Sequence, residues 1–285
     1  MRLLFIHAHP DDESIATGVA IGAYAAAGHE VHVLTCTLGE QGEVIPPDLQ
    51  HLDADHEDAL GEFRLGEWQA ALAALGATGH LLGFDESGAA AYRDSGMAGS
   101  PSAARPDALV NADAGAAIAL ARKVIEQVRP DVVITYENQG GYAHPDHIQA
   151  HRIACAAVAT FATPPRMYAV LTPRSWVAQD RAWLAAEVSA PGVTIPAAGD
   201  PVIPSVVDDA LVPYAVSDAE GARRQAAAMR AHATQITVHG AWFTLSNDIA
   251  ARLSGREGYA PLDPITGLLR SGEPVAEAGA RGWPV

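Results

Sequence analysis

A chain of 285 residues that is 49% hydrophobic and 18% charged has the composition of an ordinary globular protein, which excludes a disordered or collagen-like chain and leaves room for one large domain or two smaller ones. Its 18 basic against 34 acidic residues give a formal net charge of −16, so a nucleic-acid backbone or an anionic membrane would be repelled. The opening MRLLFIHAHPDD reads as neither signal peptide nor membrane span, no later apolar run is long enough to span, and Cys36 and Cys155 have no CxxC spacing, so a reducing cytosol is the expected compartment.

RLLFI (2–6) is a compact apolar run that predicts a buried strand. A helix is expected over 14–27, stopped by Gly28, with Gly18 and Gly22 letting it lie close against a sheet. VHVLTC (31–36) predicts the second strand. A helix over about 57–75 sets Leu60, Trp68, Leu72 and Leu75 on one stripe and ends at Gly76, before HLLGF (80–84) as third strand. Residues 85–112, rich in Gly, Ala, Ser and Pro, exceed an ordinary loop and so carry function or motion. A helix over about 113–128 stops before Pro130, DVVITY (131–136) is the fourth strand, and a helix over 146–160 and a strand over 167–171 follow. The alternation argues for an α/β, Rossmann-like, mostly parallel sheet with helices on both faces. Prolines at 173, 191, 196, 201 and 204 then break the pattern, so residues 1–172 are expected to form the main domain and 173–285 a smaller C-terminal region. Within that region Ser217 and Glu220 have capping-box spacing and predict a helix through about His232.

Histidines cluster in HAHPDDE (7–13) and AHPDHIQAH (143–151). His9 and Asp12 follow the first strand directly, and His144 and His147 come shortly after the fourth. In a doubly wound sheet ordered 3-2-1-4 those strands are neighbours at the topological switch point, where their carboxyl ends open into the ligand crevice. His9, Asp12 and His147 then make a site of two imidazoles and one carboxylate with an open position, suited to one Zn²⁺ or Fe²⁺ per chain. The competing reading is that strand-end His and Asp only cap helices and satisfy turns. The remaining groups suit amide hydrolysis. Asp11 is a candidate general base; His144, oriented by Asp146 or a neighbour, can donate to a developing oxyanion. Tyr142, approached through Gly140 and Gly141, could reach the same oxygen, or be only a partly buried loop aromatic. Glu13 is expected to support the first helix, and His7 and His232 to be structural.

HAHPDDES (7–14) and GGYAHPDH (140–147) resemble the LmbE-like (PIG-L) family of N-acetylglucosamine deacetylases, whose motifs have the forms HPDD and HPDH. TCTLGEQGEV (35–44), YRDSGMAGS (92–100), AHATQ (231–235) and TLSNDIA (244–250) extend the resemblance to members that act on N-acetylglucosaminyl-inositol in mycothiol biosynthesis, over most of the chain, with 173–215 least distinctive. The resemblance implies zinc held by His9, Asp12 and His147, with Asp11 as base and His144 assisting the oxyanion. It implies a small-molecule amino-sugar inositol as substrate, in a pocket that the C-terminal region completes. Arg64, a charge on the apolar stripe of the second helix, either snorkels to a carboxylate or, as the resemblance favours, meets sugar or inositol hydroxyls with Asp94 as companion acceptor.

A dinucleotide-binding oxidoreductase would need GxGxxG where HAHPDD stands, and acids there repel a pyrophosphate. A serine hydrolase lacks its GxSxG elbow, and HExxH is absent. A noncatalytic sugar-binding module would need the crevice without ligands, base and oxyanion donor. A mycothiol S-conjugate amidase would share the metal site and differ in the pocket; the 92–100 and 231–250 segments favour the deacetylase.

Overall fold

The apolar run at the N-terminus becomes β1 (Arg2–His7), and alternate side chains serve opposite faces of the sheet: Leu3 and Phe5 enter one core, Leu4 and Ile6 the other. The computed structural model describes residues 1–83 and 91–270. After β1 come α1 (Asp12–Ala26), β2 (Glu30–Thr35), α2 (Leu60–Leu75), β3 (Thr78–Leu81) and α3 (Ala114–Val128). Then follow β4 (Val132–Tyr136), the short α4 (Gly140–Ala143), α5 (Pro145–Ala159), β5 (Arg166–Pro173) and α6 (Arg174–Glu187). The remainder is β6 (Val206–Val207), β7 (Tyr214–Ser217), α7 (Ala219–Ala231), β8 (Thr237–Val238), β9 (Trp242–Thr244), β10 (Ala251–Arg252) and β11 (Arg256–Leu262).

The main sheet runs β3-β2-β1-β4-β5-β11-β7, parallel from β3 to β5 and antiparallel where β11 pairs with β5 and β7; β6 pairs with β5 off this path. This is the expected α/β arrangement, with the expected order 3-2-1-4 around the switch point. One core lies between the sheet and α3 and α5, with Ala121, Ile125, Ile153 and Val158. The other lies under α1, α2 and α7, with Ile21, Trp68, Leu72, Leu75 and Ala228. Three further strands, β10-β9-β8, form a small antiparallel sheet. No helix among the described residues is long and apolar enough to cross a membrane.

Several local expectations shift. The third strand starts two residues early, at Thr78, and Phe84 at its expected end lies outside the described residues, as do 85–90 of the long segment. Helix α2 begins at Leu60 and ends on Gly76, which takes the left-handed conformation (φ 80°) that ends helices. The cap of α7 is Asp218, not Ser217: its carboxylate accepts the Gly221 N–H at 2.7 Å, one residue later than the capping-box reading puts it. Gly18 and Gly22 serve α7 and not the sheet. A Cβ on Gly18 would meet Gln225 Cγ at 2.8 Å, and one on Gly221 would meet the Val19 carbonyl oxygen at 2.3 Å, so the two helices cross almost backbone to backbone. Helix α6 and strand β11 form where the sequence pattern predicts no element. Pro173 ends β5 and stands at the N-cap of α6, so the residue read as a break opens a helix. Pro261 lies in β11 past the last residue paired with β7, where a missing N–H leaves no ladder bond unmade on that side.

Candidate metal centre

β1 and β4 are parallel neighbours, so the chain leaving each enters one crevice at the carboxyl edge of the sheet. The chain leaving β1 carries His9, Asp11 and, as the first residue of α1, Asp12; the chain leaving β4 carries Tyr142 in α4, His144 at the N-cap of α5, and Asp146 and His147 in its first turn. His147 Nε2 lies 3.3 Å from His9 Nδ1 and 3.3 Å from Asp12 Oδ1, and His9 Nδ1 lies 3.5 Å from Asp12 Oδ2. Two donors each about 2.0–2.1 Å from one tetrahedral Zn²⁺ stand about 3.3 Å apart, so this trio has the spacing that a small divalent cation imposes. All three side chains are buried.

The other nitrogen of His9, Nε2, faces Asp146 Oδ2 at 3.2 Å and Asp94 Oδ1 at 3.4 Å. A ligating histidine typically gives its second N–H to a carboxylate, which leaves Nδ1 for the cation. Two overlapping sets, His9 with His144 and His147 and His9 with Asp94 and Asp146, also bring possible ligand atoms within 4.8 Å of one another. The second set is the carboxylate support of His9. Electrostatics agree with a site built for positive charge. Burial alone would lower His9, yet Asp94, Asp12 and Asp146 lift it well above its ordinary value. Burial would raise Asp12, yet His147 and His9 hold it well below. Burial takes His147 down to about 3, which keeps its ring neutral and able to ligate.

Asp11 has φ 111° and ψ −33°, a conformation L residues rarely adopt and one that costs about 1–3 kcal/mol. Its carboxylate accepts from Arg64 Nη2 at 3.0 Å, and the same guanidinium donates to the Pro10 carbonyl and, at 2.7 Å, to that of Gly39. Arg64 is 2% exposed, so of its two expected fates the structure supplies the carboxylate. Burial pushes Asp11 up to about 7 while Arg64 pulls it down. His144 caps α5: its Nδ1 accepts the Asp146 N–H at 3.1 Å, and Nε2 makes no hydrogen bond among the described residues. Asp146 meets His144 as expected, but through its amide, because its carboxylate is engaged elsewhere. It accepts Ser95 N–H at 2.8 Å and the Ser95 hydroxyl and faces His9; the Asp146 amide, not its side chain, orients His144. Tyr142 is 46% exposed, with its ring 4.9 Å from His147 and 5.8 Å from His144.

Asp94 is buried, accepts Gly96 N–H at 2.8 Å and Gln41 N–H at 3.2 Å, and has its own N–H on Glu40 at 2.9 Å. The long segment is thus anchored in the crevice by Asp94 and Ser95. Sequence reasoning misses Ser95, Glu40 and Tyr136, whose ring stacks on His147 at 4.3 Å while its hydroxyl accepts the Ala8 N–H at 2.9 Å. A signal for Tyr136 does exist: it is the last residue of the strand that feeds the switch point. His7 is structural as expected, its Nε2 2.9 Å from Thr17 Oγ1.

Known proteins share this arrangement of sequence and fold. The family profile "GlcNAc-PI de-N-acetylase" (PIG-L) matches residues 4–158. A Geodermatophilus obscurus protein named 1D-myo-inositol 2-acetamido-2-deoxy-alpha-D-glucopyranoside deacetylase is 47% identical over 272 residues, covering 90% of each chain. A protein of the same name from Thermobispora bispora is 43% identical over 99% of this chain and 94% of its own. Among solved structures, a deacetylase in complex with teicoplanin, from the biosynthesis pathway of teicoplanin, superposes with a TM-score of 0.52 at 18% identity, over 92% of this chain and 99% of that one. At that identity it speaks for the fold alone.

Proposed function

This chain belongs to the GlcNAc-PI de-N-acetylase (PIG-L) family, and from that premise we propose that it is the deacetylase that hydrolyses the acetamide of N-acetylglucosaminyl-inositol, releasing acetate and glucosaminyl-inositol for mycothiol biosynthesis. The observation that carries the chemistry is the convergence of His9 Nδ1, His147 Nε2 and the Asp12 carboxylate at 3.3–3.5 Å beside Asp11 and the free Nε2 of His144. The substrate rests on relatives more than 40% identical over nearly the whole chain.

In this proposal His9, Asp12 and His147 hold one Zn²⁺ per chain, with Fe²⁺ as the alternative, and Asp146 fixes His9 from behind. When bound, such a cation polarises a carbonyl and makes water more acidic. Asp11, its carboxylate fixed by Arg64, takes a proton from water as the oxygen attacks the acetamide carbon. His144 accepts the Asp146 N–H on Nδ1, so its neutral ring carries the proton on Nε2 and donates it as a hydrogen bond to the carbonyl oxygen as charge develops. Tyr142, at the rim, is a second donor to that oxygen. The C–N bond then breaks, and the proton held by Asp11 passes to the leaving sugar nitrogen. Arg64, whose guanidinium is taken up by Asp11 and two backbone carbonyls, is left to fix the base, and Asp94 alone is retained as an acceptor for sugar or inositol hydroxyls. Residues 1–172 carry the chemistry and 173–285, of which 271–285 lie outside the described residues, complete the pocket. A cytosolic place of action belongs to the same reading and rests on the two cysteines without CxxC spacing, while the exclusion of nucleic acid and membrane as partners rests on the charge of −16.

Acetate release from N-acetylglucosaminyl-inositol and from N-acetylglucosamine, and amide cleavage of a mycothiol S-conjugate, compared by kcat/KM, test the reading. Binding energy from the inositol can be used at the reacting centre, so its removal is expected to lower kcat/KM by well over about tenfold. A higher kcat/KM for amide cleavage of the S-conjugate would replace the deacetylase by the amidase.

A further inference from the structure

One buried ion pair stands outside the groups assigned to metal, proton transfer and oxyanion. Glu13, in the first turn of α1, and His232, at the C-cap of α7, are both fully buried, with Glu13 Oε1 2.8 Å from His232 Nε2. Oε1 also accepts the Ser14 hydroxyl at 2.6 Å. The second oxygen, Oε2, reaches back out of the helix and accepts the Asp11 N–H at 3.0 Å.

That last bond matters because of where Asp11 sits. It is the N-cap of α1, a position at which an aspartate ordinarily takes extended backbone angles and gives its carboxylate to the exposed N–H groups of the first turn. Here it makes no side-chain cap bond; its carbonyl receives Ser14 N–H and Ile15 N–H at 2.9 Å each, and φ of 111° turns the carboxylate away to Arg64. Residues with a Cβ leave this region unless several contacts hold them. Besides the bonds to its carbonyl, two contacts do so here: Arg64 on the carboxylate and Glu13 on the amide. Glu13 could serve the first-turn N–H groups of α1 instead, but His232 and Ser14 fix Oε1 and so aim Oε2 at Asp11. His232 is itself held through α7, which Gln225 ties to α1 by donating to the Ser14 carbonyl at 3.1 Å.

We propose that Glu13 and His232 are positioning residues for Asp11: the pair holds the Asp11 amide in its left-handed conformation and thereby keeps the carboxylate free of helix capping and turned into the crevice. The proposal rests on the reading of Asp11 as the base. It gives the C-terminal region a part in the chemistry through a residue that need not touch substrate.

The test has an arm with substrate and an arm without. In steady-state acetate release by the metal-loaded protein, His232→Leu is expected to lower kcat by about tenfold or more while KM and metal content stay near the parent's. In an Asp11→Asn background the same substitution is expected to cost less than about twofold, because two residues acting as one unit are non-additive. His232→Gln and Glu13→Gln each keep a hydrogen-bonding atom toward the neighbour and are expected to recover most of the rate. Should His232→Leu not fold, these two set against Glu13→Ala give the same comparison. In the metal-free protein, hydrogen exchange of the Asp11 amide, followed by NMR, is expected to be at least about tenfold faster in His232→Leu than in the parent. An effect of His232→Leu that is undiminished in Asp11→Asn, or Asp11 exchange equal to the parent's, overturns the proposal and leaves the pair a fold-stabilising contact. Failure of the parent to release acetate sinks the reading of function instead, and the exchange arm still decides the positioning.

Discussion

Replacing His144 by alanine removes two things at once, and the structure says how to separate them. Its Nδ1 caps α5 by accepting the Asp146 N–H at 3.1 Å, while Nε2 is free and carries the proton assigned to the developing oxyanion. Loss of an N-cap costs about 0.5–2 kcal/mol of stability. In a chain of this size that lowers Tm by about 2–4 °C per kcal/mol. Loss of one oxyanion donor costs about 2.7–4 kcal/mol in the transition state, or about 10²–10³ in kcat. His144→Ala should show both losses. His144→Asn should show only the second, since its side-chain oxygen can still accept from Asp146 N–H but its amide is too short to reach where Nε2 stands. The assay pairs thermal unfolding with kcat and KM for acetate release at full metal occupancy. Parental kcat in His144→Asn would refute the oxyanion role, and a drop confined to KM would move His144 to ground-state binding.

The geometry dictates two further outcomes. His147→Ala removes the nitrogen that stands 3.3 Å from both His9 and Asp12; it should lose most of its metal where the parent keeps about one per chain, and elemental analysis showing full occupancy would reject the ligand set. Gly221→Ala puts a Cβ 2.3 Å from the Val19 carbonyl oxygen, so α1 and α7 must separate; a loss of about 1–3 kcal/mol in denaturant unfolding is expected, and unchanged stability would show that the two helices are not held at this separation.

The order of the central strands was legible because each apolar run is short, bounded and followed by a helical pattern, and the switch point follows from topology alone. The convergence of His9, Asp11, Asp12, His144 and His147 was legible for a related reason: the first three follow the end of β1 directly, and the two histidines sit in a compact motif on the chain that leaves β4. Ser95 and Glu40 were not. They sit in irregular chain with no periodicity to place them, and only tertiary contact brings them to Asp146 and Asp94. For His144 the partner Asp146 was legible but the bonding atom was not, because sequence shows which residue stands two positions on and not whether its amide or its carboxylate points back. The second half was under-read where proline rules met their exceptions, at Pro173 before α6 and Pro261 past the end of β7.

The division of labour along the chain bears on how one reaction can be kept while substrates change. Every residue proposed to hold metal, move a proton or donate to the oxyanion lies within 4–158, the span the family profile matches. The chain beyond residue 158 supplies β11 and β7 to the same sheet, and α7 against α1. Several of its polar contacts with the first half bear on α1, with Gln225 on the Ser14 carbonyl, Glu257 on the Val19 and Ala20 amides at 2.6 and 2.9 Å, and His232 on Glu13; others reach α2, where Glu67 accepts from Thr234 and the Leu75 carbonyl from Arg224. Helix α1 begins at Asp12, the proposed ligand, so this half grips the element that carries the proposed site without furnishing a proposed reacting group. Sequence change in this half can therefore reshape the pocket at little cost to the chemistry, provided the contacts onto α1 survive. Loss of those contacts would be felt at Asp11 before it was felt at the proposed ligand Asp12, because Asp11, unlike Asp12, stands in a backbone conformation that needs holding.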